Sequence, residues 1–265
     1  QIASIIQGET NTGGFIGLGL TACPITFEEK SSIKTSDGIA EVLGGNYTGG
    51  VLGKFEPSGK TIIIENTSKI YCGVNISGTT NVGGFAGCVN FNNSKSEDER
   101  TVNLNGFELK NTVEIKGGVN TGGLIGFVKN AIIKGQNTFD YNEGSGLTIP
   151  KFSRFTPNFS GKIIAANPSS GSCFGGAIGK AYNSSIKGIC VNSIIELTNL
   201  DSIGGIVGHI ESTLQSSKII EDCTYKGELI GNKNIGGIVG IKTKNGQILD
   251  CINYGIISAK ENVGG

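Results

Sequence analysis

The feature that most constrains this chain is a glycine pentad that returns along its whole length. It reads Gly13-Gly14-Phe15-Ile16-Gly17 first, then begins again at Gly49, Gly83, Gly122, Gly175, Gly204 and Gly236, with Gly264-Gly265 opening an eighth copy. Two residues ahead of most doublets stands a polar residue: Asn11, Asn81, Asn120, Ser202, Asn234 or Asn262. Successive doublets lie 28 to 53 residues apart. A period of that size with tolerated insertions is the mark of a solenoid, in which each repeat is one circuit that cannot bury its apolar face alone.

Between the pentads lie short β-branched runs separated by turns. After Gly240 come the polar turn Lys242 to Gly246, then Gln247 to Cys251, then Tyr254 to Ser258. No sustained 3.6-residue apolar stripe interrupts this pattern, so helix is disfavoured and stacked strands are expected. The fold expected is all-β: a three-sided parallel β-helix with about one coil per Gly-Gly-x-x-Gly repeat, forming a single domain over residues 1–265. Glycine suits corners that need a left-handed backbone and rungs that approach closely. The asparagine two places before the doublet can form a ladder of side-chain amides along the stacking axis or simply tolerate a left-handed corner, and the two readings are compatible. Both ends are read as cuts through a longer array.

Two stretches exceed a coil, at about 90–105 and 128–172. The first contains the charged run Ser94 to Arg100; the second holds Pro150, Pro157 and Pro168 with several aromatics. Phe139, Tyr141, Phe152, Arg154, Phe155 and Phe159 are the candidate binding residues of that loop, and packing against the solenoid flank is the alternative for its aromatics.

The two apolar residues inside each pentad should, by strand alternation, point to opposite faces. One would then need an outside cover, which makes Phe15, Val51, Phe85, Leu124, Ile206 and Ile238 candidate assembly contacts. Cys190, Cys223 and Cys251 precede their next doublets by 14, 13 and 13 residues. They are expected to stack on neighbouring rungs, either as buried thiols or as rung-to-rung disulfides.

The line from Ile220 to Gly240, with Cys223, Tyr225, Gly227 and then Asn234-Ile235-Gly236-Gly237-Ile238-Val239-Gly240, resembles the GLUG-motif repeat of bacterial surface proteins, as does Cys251 to Gly265. The resemblance is most specific from Cys190 onward and looser before Gly175. It implies a parallel β-solenoid carried on adhesin-like surface proteins and beside some immunoglobulin A peptidase domains, with no catalytic residue in the repeat itself.

Chemistry is thin. The chain has one histidine, His209, and seven cysteines with no zinc spacing. Asp222 and Asp250 each precede a cysteine and would stack as a like-charged pair; with Glu196 and Glu221 they are the only candidates for glycan-cleaving acids. Lys plus Arg and Asp plus Glu balance at 22 each, and only Arg100 and Arg154 are arginines, so no nucleic-acid footprint is written in the charge. No apolar run is long enough to span a bilayer. No cofactor and no metal are implied.

The function expected is a non-enzymatic structural or adhesive repeat domain of an extracellular or cell-surface assembly, partnered by itself or by neighbouring structural proteins. Recognition of a surface glycan or host protein by the 128–172 loop is the alternative, and a glycan-cleaving β-helix enzyme the third reading.

Overall fold

A computed structural model describes residues 5–20, 25–27, 32–33, 41–57, 62–64, 70–92, 96, 98–109, 112–135, 139–141, 150–152, 158–213 and 217–265. It is a parallel β-solenoid. Every described strand pairs with strands one circuit away, in parallel register, apart from one antiparallel pair. Among the described residues the only helical element is the single 3-10 turn Asp98–Arg100.

The doublets line up in one column. Gly13, Gly49, Gly83, Gly122, Gly175, Gly204, Gly236 and Gly264 are successive register partners. Each circuit is divided into five short columns of strands. Two eight-stranded sheets run up to the doublet, a seven-stranded sheet leaves it, another seven-stranded sheet follows, and a fifth column closes the circuit. That last column consists of two three-stranded sheets joined through Phe159, which bridges Leu109 on one side and Val191 on the other.

The sheets are apolar toward the axis because alternate residues of each strand point inward. Val42, Ile76, Ile115, Ile163, Ile195 and Leu229 are all essentially inaccessible on one column, as are Val102, Ile133, Ile186 and Ile220 on another. Burying each such side chain is worth about 1.5–3 kcal/mol. Aromatic pairs fill the wider circuits. Phe85 meets Phe107 edge-to-face at 5.1 Å between ring centroids, and Phe55 meets Phe91 at 5.8 Å.

The pentad forms the corner between two sheets, and its three glycines serve three different steric needs. A Cβ on the first would lie 1.9–2.3 Å from the carbonyl oxygen of the fourth pentad residue of the same coil, so the turn cannot be this tight with a side chain there. On the second, for example Gly205, a Cβ would meet the Gly237 carbonyl at 2.0 Å and the Tyr225 ring at 2.4 Å. On the third, it would meet backbone: Gly126 looks at the Asn81 carbonyl carbon from 2.4 Å.

None of the described pentad glycines is left-handed. The left-handed residue is the one two places earlier: Asn11, Tyr47, Asn81, Asn120, Ser202, Asn234 and Asn262 all have φ between 49° and 61°. Asparagine tolerates that region better than most side chains. Where two asparagines stack they also bond along the axis. Asn120 Nδ2 donates to Asn81 Oδ1 at 2.9 Å and Asn262 Nδ2 to Asn234 Oδ1 at 2.8 Å, so the corner and the ladder coexist.

The two excursions are shorter than the sequence suggests. Thr101–Asn103 and Ile132–Lys134 are ordinary rungs of one sheet, in register with each other. Lys162–Ala165 is likewise an ordinary rung, paired with Glu114–Gly117. Among the described residues of the second stretch, Phe139–Tyr141 and Pro150–Phe152 form an antiparallel pair with each other and not a rung of the stack.

Candidate functional site

The pentad's apolar pair does not present an outward side chain. Val51, Phe85, Leu124 and Ile206 are fully buried, and so are their neighbours Leu52, Ala86, Ile125 and Val207. The assembly contacts expected at these positions are therefore core residues. The reason is a bend repeated at every corner: one strand ends at the first glycine and the next begins at the fourth pentad residue, so the apolar pair does not lie within one strand. The amides of Phe85 and Ala86 both donate to the single carbonyl of Leu124, at 2.8 and 3.0 Å, and those of Ile206 and Val207 both donate to Ile238, at 3.0 and 2.9 Å. The chain turns between the two residues, so strand alternation does not apply to them and both side chains are buried.

Phe15 is 45% exposed and Ile238 partly buried because they lie on the outermost circuits. Other core columns behave the same way there. Val263 is 53% exposed where its register partner Ile235 is 1%, and Ile248 is 37% exposed where Ile220 is inaccessible. Within the stack, where a circuit lies on either side, the described pentad pairs thus present no apolar side chain along the flank.

The aromatic loop divides in three. Phe159 is inaccessible and belongs to the core, with its ring over Gly123, so it is not a binding residue. It is held there by ladder bonds on both sides: Ser160 N–H to the Leu109 carbonyl at 3.2 Å and Asn192 N–H to the Phe159 carbonyl at 2.9 Å. The neighbouring Asn158, also inaccessible, donates from Nδ2 to the carbonyls of Leu104 and Phe107. Phe139, Tyr141 and Phe152 lie on the antiparallel pair that leaves the stack. Arg154 and Phe155 lie outside the described residues. The sequence signal that could have singled out Phe159 is the Lys162–Ile164 run just after it, which restarts the rung pattern.

The cysteine column has two members rather than three. Cys190 is in register with Thr224, so it stands one residue past the position shared by Cys223 and Cys251. The 14-residue spacing hides the slip, because the coil of Cys190 has two extra residues between Glu196 and Asp201 compared with Ile230 to Lys233 on the next. Ile189 takes the stacked position instead. Cys72, Cys88, Cys173, Cys190, Cys223 and Cys251 are all free thiols; Cys23 lies outside the described residues. Cys223 and Cys251 adopt one rotamer, each thiol donating to the carbonyl two residues back at 3.2 Å, Glu221 and Leu249 respectively. Burial pushes the Cys223 thiol well up. Cys251, which is only partly buried, is lowered by its hydrogen bond with Cys223.

Asp222 and Asp250 do follow stacked partners, Glu221 and Leu249, and both sit in left-handed corners. Burial pushes the Asp222 carboxyl up, opposed by the charge of Lys187, whose Nζ lies 3.4 Å away. The lysine gives the acid pair a counter-charge, and Asp222 functions as part of a surface ion network with Glu221, Lys187 and Lys218. Glu196 lies on a different column, in register with Ile230.

His209 occupies the outward face of the sheet that leaves the doublet, between Lys180 and Ile241. Its Nε2 lies 3.1 Å from Thr243 Oγ1, and partial burial, aided by Lys180, lowers its pKa. The imidazole is bonded to a neighbouring rung, in surroundings that disfavour its charged form. Among the described residues no group of three or more His, Cys, Asp or Glu side chains could hold a metal ion, and no helix is long and apolar enough to cross a membrane.

Fold and surface together define a parallel β-solenoid whose corners are set by glycine doublets. Comparison with protein-family models, with curated proteins and with solved structures returns no match.

Proposed function

We propose that this chain is a non-enzymatic structural repeat domain of an extracellular or cell-surface assembly, working through repeated intermolecular contacts. The observation that carries the reading is the unbroken stack: the first glycines of successive doublets, from Gly13 to Gly264, are register partners on one column, so successive coils present equivalent positions at rung intervals and one type of contact can recur along the solenoid. The GLUG-like repeat supports a surface location.

Sedimentation velocity over a concentration series of residues 1–265 tests this. Association that rises with concentration, at unchanged circular dichroism, is the expected result. A monomer at every concentration would sink the reading.

A second reading, recognition of a surface glycan or host protein by the hairpin of Phe139–Tyr141 and Pro150–Phe152, is favoured by that pair's being the one antiparallel departure from the stack. Its test is deletion of residues 138–156, which spares the Phe159 rung. Equal retention of the deletion variant and the full chain on a glycan array ends it.

A further inference from the structure

One groove on the flank is built differently from the rest of the surface. It encloses about 430 Å³ and crosses four successive circuits on the sheet that contains Thr101–Asn103, Ile132–Lys134, Ser185–Lys187 and Lys218–Glu221. Arg100, Lys134, Lys187 and Lys218 line it against a single lining carboxylate, Glu221. With Asp222, which meets Lys187 from beside the lining, four cations face two carboxylates, still a local excess in a chain whose charges balance overall.

The four cations fall into two pairs. Lys187 and Lys218 are both held by Glu221, at 3.1 and 2.6 Å, and Lys187 also meets Asp222 at 3.4 Å, which fixes their position. Arg100 and Lys134 have no carboxylate partner among the described residues. The Arg100 Nε is withdrawn from solvent and has no hydrogen-bond acceptor. A guanidinium N–H left so is an orphaned donor that an anionic oxygen would satisfy. Lys134 and Lys187 are register partners, so their side chains start one rung apart, about 4.8 Å.

The remaining lining selects among anions. It is mostly hydroxyl and amide, from Ser184, Ser185, Ser217 and Asn183, and its two isoleucines, Ile132 and Ile219, are nearly inaccessible. A protein partner would need an apolar pocket for an anchoring side chain, and this groove offers none. A hydroxyl-rich polymer with regularly spaced acidic groups needs what is there: a straight polar track along the solenoid axis with cations at rung intervals.

We propose that this groove binds an anionic polysaccharide, with Arg100 and Lys134 as the unpaired cations that take its carboxylate or sulfate groups and the Lys187–Glu221–Lys218 cluster as the fixed wall. The site is on the flank, so it stands whether or not molecules stack end to end.

Calorimetric titration of residues 1–265 at about physiological salt tests the proposal, with polygalacturonate and dextran sulfate as the carboxylated and sulfated probes and with neutral dextran and poly-glutamate as comparisons. At least one acidic polysaccharide binds, neutral dextran does not, and poly-glutamate binds more weakly. The double variant Arg100→Gln with Lys134→Gln weakens polysaccharide binding about tenfold or more, since two charge-assisted contacts are lost. The variant keeps the wild-type melting temperature, and Lys233→Gln with Lys260→Gln, on the doublet side, changes affinity less than about twofold. Binding of neither polyanion overturns the proposal. So does undiminished binding by the Arg100 and Lys134 variant, an equal loss in the Lys233 and Lys260 control, or poly-glutamate binding as tightly as the polysaccharides.

Discussion

Replacing the second glycine of a doublet by alanine isolates the close approach of successive coils from any backbone strain. Gly205 is not left-handed, so alanine can adopt its φ, and on entropy alone the substitution would stabilise by about 0.4–1 kcal/mol. The added methyl, however, lands 2.0 Å from the Gly237 carbonyl oxygen and 2.4 Å from the Tyr225 ring. Ordinary contact begins near 3.4 Å, so the coils must part by more than an ångström at a point where both neighbours are constrained. Tyr225 cannot swing aside freely, because it is inaccessible and its hydroxyl donates to the Ser193 carbonyl at 2.8 Å. Parting the coils stretches the ladder bonds Gly205 N–H to Gly236 and Ile206 N–H to Ile238, both 3.0 Å, each worth about 1 kcal/mol. With overpacking strain of about 1–3 kcal/mol added, Gly205→Ala should destabilise by roughly 2–4 kcal/mol net. At this chain size that lowers the melting temperature by about 4–16 °C. Thermal and denaturant melts measure it, with Gly264→Ala, whose Cβ meets nothing within 4 Å, as the control. A Gly205→Ala protein within about 0.5 kcal/mol of wild type would refute the steric account of the doublet.

Three further outcomes are expected. Phe85→Ala should cost about 3–5 kcal/mol in denaturant melts, because both it and Phe107 are inaccessible, and a cycle with Phe107→Leu should show coupling of about 0.5–1.5 kcal/mol. Asn81→Ala should destabilise by about 1–2 kcal/mol through its φ of 54° and its bond from Asn120, whereas Asn81→Gly should lose only the ladder part; equal losses would show that conformation is not what selects asparagine there. In mass-resolved maleimide labelling of the native chain, Cys251 should react well before Cys223 and Cys72, the latter pushed up to about 12 by burial, and the three rates should converge only on unfolding.

The period, the parallel stacking and the column of doublets were legible in the amino-acid sequence because a solenoid repeats its local constraints. Every corner needs the same small residue at the same place, so the constraint recurs as a visible motif. The left-handed corner was legible too, through asparagine two places before the doublet. Other features depend on what lies one circuit away. Alternation would place Phe85 and Ile206 outside, but each stands at the bend between two strands and is buried, and where a bend aims its side chain is decided by the coils packed beside it. Cys190 misses the thiol column by one residue, a slip decided by its pairing with Thr224. Phe159 reads as part of a proline-rich loop and is instead the rung that joins two halves of a sheet. The groove of Arg100, Lys134, Lys187 and Lys218 draws on four circuits spread over more than a hundred residues, and no window of sequence holds it. Glycine spacing fixes that the chain coils. Which side chains meet across the coils is set by the number of residues each circuit inserts, and that sum is taken only in three dimensions.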